Sequence, residues 1–171
     1  DGTDPIEDDD AWSDKLELLL ASPVPVVSFT FGVPKASVVA ALRKAGTITV
    51  HTVTTVDELS AAEAAGVDVL AVQSSAAGGH RGMLRPELPD DDTPLPQLVA
   101  AFCRATRLPV LAAGGVSMPA DVAAALGAGA SGVMVGTVLL RSEESAASAV
   151  HQAALADQRR ETVVTRAFTG R

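Results

Sequence analysis

Five short apolar runs punctuate the chain, at Val24–Phe29, Thr47–Val53, Val67–Val72, Pro109–Ala113 and Gly132–Val135. They are rich in β-branched residues and near-continuously apolar, the pattern of parallel strands covered on both faces. Between them apolar positions recur at helical spacing over Lys35–Lys44, Val56–Ala65, Leu95–Arg107 and Pro119–Leu126. A last helix is expected from about Glu143 to Ala156. The ends carry capping signals. Thr55 precedes Asp57 and Glu58, whose charges suit a helix N-terminus, and Gly66 follows the last turn. Ser117 is the expected cap of the helix that has Pro119 in its first turn, with Gly127 closing it, and Ser142 the expected cap of the last helix. Trp12 is expected to pack a helix onto the body.

This alternation predicts an α/β fold of about five βα units with parallel strands, in a single domain. Residues 1–12 read as an acidic surface segment and 13–171 as the βα units. Five units are too few for a closed eight-stranded barrel of ~250 residues. An open sheet and a barrel without its first part both satisfy the periodicity.

Composition narrows the partners. Of 171 residues, 47% are hydrophobic but only 3% aromatic, so small side chains dominate and suit close helix-on-strand packing. A net charge of −8 argues against nucleic acid or an anionic membrane surface, which both require a basic footprint. The single cysteine, Cys103, excludes an intrachain disulfide framework and a cysteine-based zinc site, and no metal ligand set is expected. Its apolar helical setting marks a buried structural thiol. No run approaches the ~20 apolar residues of a membrane span, and the chain reads as soluble and cytoplasmic.

Chemistry concentrates in three glycine-bearing loops. Gly78-Gly79 runs into His80, Gly114-Gly115 follows the fourth apolar run, and Gly136-Thr137 follows the fifth. Strand-to-helix loops of a parallel sheet share one face, where ligands and catalytic side chains gather. Glycine there allows close backbone approach or positive φ. An imidazole exchanges a proton near neutral pH, so His80 is the candidate general base beside a phosphate-bearing cofactor. His51 lies in a strand as a core histidine that could face either side, and His151 sits exposed on the last helix. Thr30 ends a strand where it could meet substrate. The Arg85–Pro96 stretch, rich in Pro and Asp, is a surface excursion.

The segments VVSFTFGVP (Val26–Pro34), VQSSAAGGHRG (Val72–Gly82), PVLAAGGVSMPADVAAALGAGASGVMVGT (Pro109–Thr137) and TVVTRAFTGR (Thr162–Arg171) resemble nitronate monooxygenase, also called 2-nitropropane dioxygenase. The resemblance covers nearly the whole chain from Val24 and implies a (β/α)8 TIM-barrel type of fold, here a partial barrel. It implies non-covalent FMN and oxidation of alkyl nitronates by molecular oxygen, with a nitro compound as the small-molecule substrate. Against the family pattern the chain begins near the fourth barrel strand, so it is read as a fragment lacking the first strands and stopping inside the C-terminal motif that holds Arg166 and Arg171.

By the same resemblance His80 faces the flavin and the substrate α-carbon. Gly114, Gly115, Met134, Val135, Gly136 and Thr137 form the flavin phosphate site, with Gln73, Gly78 and Gly79 as further flavin contacts. Ser74 and Ala76 stand where the family usually has Gly and Glu, a lost carboxylate that bears on substrate preference, and Val138 stands where many relatives carry a larger polar residue. Two alternatives remain: a flavin-type enoyl-acyl carrier protein reductase, which shares the AGGH histidine, and an inactive fragment. In the latter an unpaired sheet edge is liable to associate with other chains, so a homo-oligomer is among the partners considered.

Overall fold

A computed structural model describes residues 10–89, 91–157, 159–160 and 162–165. The elements are α1 (Trp12–Ala21), β1 (Val26–Phe29), α2 (Ala36–Lys44), β2 (Ile48–Val53), α3 (Leu59–Ala65), β3 (Val69–Gln73), α4 (Leu95–Ala105), β4 (Val110–Ala113), α5 (Pro119–Gly127), β5 (Gly132–Met134) and α6 (Ala149–Ala156). Short 3-10 helices at Val56–Glu58 and Thr137–Arg141 precede α3 and α6. The expected segment Arg166–Arg171, with both of its arginines, lies outside the described residues, as do residues 1–9 of the acidic start.

All strand pairs are parallel and the sheet order is β1-β2-β3-β4-β5. That order decides what periodicity left open. A doubly wound sheet reverses direction at a switch point and carries helices on both faces. Strictly sequential order with right-handed crossovers puts successive helices on one face, the winding of a barrel.

Register assigns the two faces. Val53 pairs with Val72 and Val72 with Ala112, and Leu70 pairs with Val110. These residues share a buried core with Val39 of α2, Ala62 of α3, Leu98, Val99 and Phe102 of α4 and Ala125 of α5. The alternate row, Thr52–Ala71–Leu111–Gly132, and above it Gln73–Ala113–Met134, faces away from the helices. At β1 this second face is open: Val26 is 51% and its partner Ile48 49% exposed.

His51 pairs with Leu70 and therefore faces the helices. It is fully buried, and its Nδ1–H donates to Phe29 O at 3.3 Å, while Nε2 has no partner among the described residues. Burial holds its pKa below the ordinary histidine value, against the raising effects of the Phe29 hydrogen bond and the Glu58 charge. Trp12 does pack α1 onto the body, edge to face on Phe29 with ring centroids 6.1 Å apart.

Several expectations are corrected. The last helix begins at Ala149, not near Glu143, because serines divert the backbone. Ser145 Oγ accepts from Ala147 N–H at 3.1 Å, and Ser148, not Ser142, caps α6 by accepting from His151 N–H at 3.3 Å. Ser117 does not cap α5; Asp121 instead accepts from the Ser117 and Met118 amides at 2.9 and 2.8 Å. Gly127 is the last residue of α5, as expected, and Gly129, at φ +108°, makes the turn that follows. Cys103 is half-buried rather than buried, its thiol 3.4 Å from Gly129 O. α4 also stops short of Arg107, at Ala105, where Thr106 turns extended and its hydroxyl engages Glu63 Oε1 at 2.6 Å.

Candidate active site

The C-terminal ends of β3, β4 and β5 bring the glycine loops together. Gly114 and Gly115 adopt φ of +95° and +72°, a region L side chains rarely enter. They are also crowded by the loop after β3. A Cβ on Gly114 would lie 2.8 Å from Ser74 Oγ, and one on Gly115 2.9 Å from Ala76 Cβ. Ser74 itself is buried, with its hydroxyl donating to Gly114 O at 3.3 Å. Ser74 and Ala76 are thus among the contacts of this glycine pair, with Ala77 N 3.0 Å from the same Cβ position on Gly114. Across β4, Gly78 meets β5's loop: a Cβ there would collide with Thr137 Oγ1. Gly79 (φ +81°) and Gly136 border open space, with nothing within 4 Å of a Cβ built on either. Met134 ends β5 with its side chain exposed. Val135 lines an open cleft of ≈ 370 Å³ with Val116, Ser117, Met118, Pro119 and Val122, on the same rim.

His80 sits at this rim, exposed, with its ring edge to face on Phe31 at 5.8 Å between centroids. Phe31 takes φ +69°, rare for a bulky side chain. Such strain persists only where surrounding structure holds it, and it clusters at functional sites. The loop carrying His80 is fastened by the sheet beneath it. Gln73 Nε2 donates to His80 O at 3.1 Å, and Gln73 Oε1 accepts from Gly82 N–H at 2.8 Å. Gly82 is buried, its bare Cα resting on Thr52 of β2 and on Thr30 just past β1; a Cβ would lie 2.7 Å from Thr52 Cγ2 and 3.1 Å from Thr30 Cγ2. The two threonine hydroxyls bond each other at 3.1 Å.

Two residues escaped the sequence reading. Phe31 carries no motif signal beyond the glycine after it. Glu58 was visible as a helix-start acid, but it is 5% exposed and reaches further than its own turn. Its Oε2 accepts from Thr54 N–H at 2.6 Å, and its Oε1 from Leu84 N–H at 2.7 Å. Of the other candidates, Thr30 follows β1 and is bonded to Thr52, His151 is exposed on α6, and Val138 is exposed in the 3-10 helix after β5.

The sequence profile of nitronate monooxygenase matches residues 3–171. The chain belongs to the nitronate monooxygenase family. A probable nitronate monooxygenase of Staphylococcus saprophyticus is 38% identical over 164 residues, covering 94% of this chain and 46% of the relative. The solved nitroalkane oxidase from Streptomyces ansochromogenes is 46% identical at TM-score 0.89, over 95% of this chain and 48% of that one. FabK from Thermotoga maritima is 30% identical at TM-score 0.77, over 92% and 48%. The chain spans about half the length of the curated relatives it matches. Its fold is a partial TIM-type barrel of the nitronate monooxygenase family, and no helix among the described residues is long and apolar enough to cross a membrane.

Proposed function

We propose that the protein containing this chain oxidises alkyl nitronates and nitroalkanes with molecular oxygen on bound FMN, with His80 as the catalytic base. The observation that carries this reading is the convergence of an exposed histidine, on a loop pinned by Gln73, with glycine loops from three adjacent strands. FMN, when bound, supplies the electron acceptor that substrate reduces and oxygen reoxidises. Gly114, Gly115, Gly136 and Thr137 would hold its phosphate. Open space at Gly136 and Gly79 supports close backbone approach there, and the Thr137 hydroxyl adds a donor. Gln73, Gly78, Gly79, Met134 and Val135 border the same rim. Gln73 already spends one amide hydrogen and one lone pair on its own loop. The remaining hydrogen and lone pair could serve flavin.

His80 acts on the acidic C–H beside the nitro group. A ring nitrogen takes the proton, the C–H electron pair moves onto the nitro group, and the imidazolium then pairs with the nitronate oxygens. A preformed nitronate needs only the second role. The test is oxygen uptake by the FMN-loaded protein on addition of an alkyl nitronate, against flavin bleaching by NADH or NADPH under anaerobic conditions. Nitronate-dependent oxygen uptake with slow reduction by the nicotinamides is expected. Rapid nicotinamide-driven reduction without nitronate oxidation would assign the site to the reductase alternative.

A further inference from the structure

The geometry points to Glu58 as a positioning residue for His80, acting through the Leu84 amide; the inference rests on His80 being the base. Glu58 belongs to the turn between β2 and α3, 22 residues before His80 in sequence. It is a buried carboxyl group, and such groups persist only when their lone pairs are filled. Oε2 serves its own turn, accepting from Thr54 N–H at 2.6 Å, Thr54 Oγ1 at 3.1 Å and Thr55 N–H at 3.4 Å. This is an acid returning to cap its own helix start. Oε1 does something a cap does not require: it crosses to the loop after β3 and accepts from Leu84 N–H at 2.7 Å.

That bond completes a pattern. His80 O, Gly82 N–H and Leu84 N–H are held at every second residue, the first two by Gln73 and the third by Glu58. Polar backbone groups facing one side at alternate positions describe an extended segment laid along the sheet rim. The segment is gripped on both sides of Gly82, whose bare Cα sits on Thr52 and Thr30. Gln73 fixes the start, where the histidine is, through two bonds to His80 O and Gly82 N–H. Glu58 supplies a further point two residues past Gly82, and its own carboxyl group is held in place by three donors of its turn. Asp57 and Arg85, one residue along on each side, are 3.8 Å apart as an exposed pair that adds little. A base must hold its ring within hydrogen-bond reach of the proton, and small displacements cost rate.

Two variants of the full chain separate this role from simple helix capping. Glu58→Gln keeps one acceptor oxygen, which the three donors of its own turn claim, so Leu84 loses its partner. Leu84→Pro deletes the donor and leaves the Glu58 cap intact. Amide hydrogen exchange is read over residues 80–84 against α4, in the protein without and with FMN. Both variants should speed exchange across 80–84, and Glu58→Gln should raise it at the Leu84 amide by ~10-fold or more, while α4 is unchanged. In the loaded enzyme both should lower kcat on a neutral nitroalkane with little change in KM, and spare the preformed nitronate. Loosening by Glu58→Gln but not by Leu84→Pro would reduce Glu58 to a helix cap and overturn the inference, as would unchanged exchange in both. His80→Asn is the control: if it leaves nitroalkane oxidation intact, the reading of His80 fails, whatever the exchange shows.

Discussion

The side-chain amide of Gln73 donates to the backbone carbonyl of His80 across 3.1 Å, so the residue that ends β3 holds the histidine its own loop presents. The same amide accepts from Gly82 N–H, closing a clasp around Arg81. His80 is thereby tied to the sheet through its backbone, leaving its ring exposed to work. Replacing Gln73 by Leu removes both bonds and should destabilise the protein by about 1–3 kcal/mol while raising amide exchange at Gly82. Unchanged exchange at Gly82 in a folded variant would show that the clasp does not order the loop.

The glycines divide into two classes that mutation should separate. Gly115→Leu meets both a positive φ and the Ala76 methyl, so it should destabilise the fold and weaken FMN binding together. Gly136 has φ −128° and an unobstructed Cβ position. Gly136→Leu should therefore alter stability by no more than ~0.5 kcal/mol yet weaken FMN by at least ~10-fold if backbone approach holds the phosphate. Flavin titration with thermal melting of both variants reads this out. Unchanged affinity in Gly136→Leu would remove that loop from the phosphate site.

Acid sensitivity should follow His51. Burial lowers its pKa in the folded protein below the ordinary 6.5. Above that value both folded and unfolded chains are neutral at His51, and its contribution is intact. As pH falls below it, the unfolded chain takes up the proton first, and stability declines by at most ~1.4 kcal/mol per pH unit until the folded protein also titrates. Asp68 acts in a lower window. Burial pushes its carboxyl up, but hydrogen bonds from Thr49 and Arg43 prevail and hold it below the ordinary 3.8, so its contribution is lost only as pH falls further. Denaturant unfolding between pH 7 and 5 should show a slope that His51→Gln flattens; an identical slope in the variant would place the sensitivity elsewhere.

Much of this was legible in the letters because the physics was local. Five apolar runs became five parallel strands with ends displaced by one or two residues, and Gly66 takes φ +78° after α3 as its position implied. What failed to show was non-local or competitive. The helix expected from Glu143 lost its first turns to serine hydroxyls that engage the backbone. Gly127 and Gly129 are equivalent to a pattern, and only the turn geometry selects the second. Which way His51 faces depends on strand order, which periodicity does not contain. Glu58 was visible as a cap, but its bond to Leu84 spans 26 residues and has no local signature. The convergence of Gly78 on Thr137 across β4 is likewise a consequence of sheet order.

The central claim is that His80 takes the α-proton. The most direct measurement compares His80→Asn with the parent protein on a neutral nitroalkane and on its preformed nitronate, with FMN occupancy verified by absorbance. Loss of the base should cut nitroalkane oxidation by ~10²–10⁴-fold while the nitronate, which already lacks the proton, is oxidised with a much smaller loss. Equal losses on both substrates with flavin still bound would contradict the account and make His80 part of the scaffold.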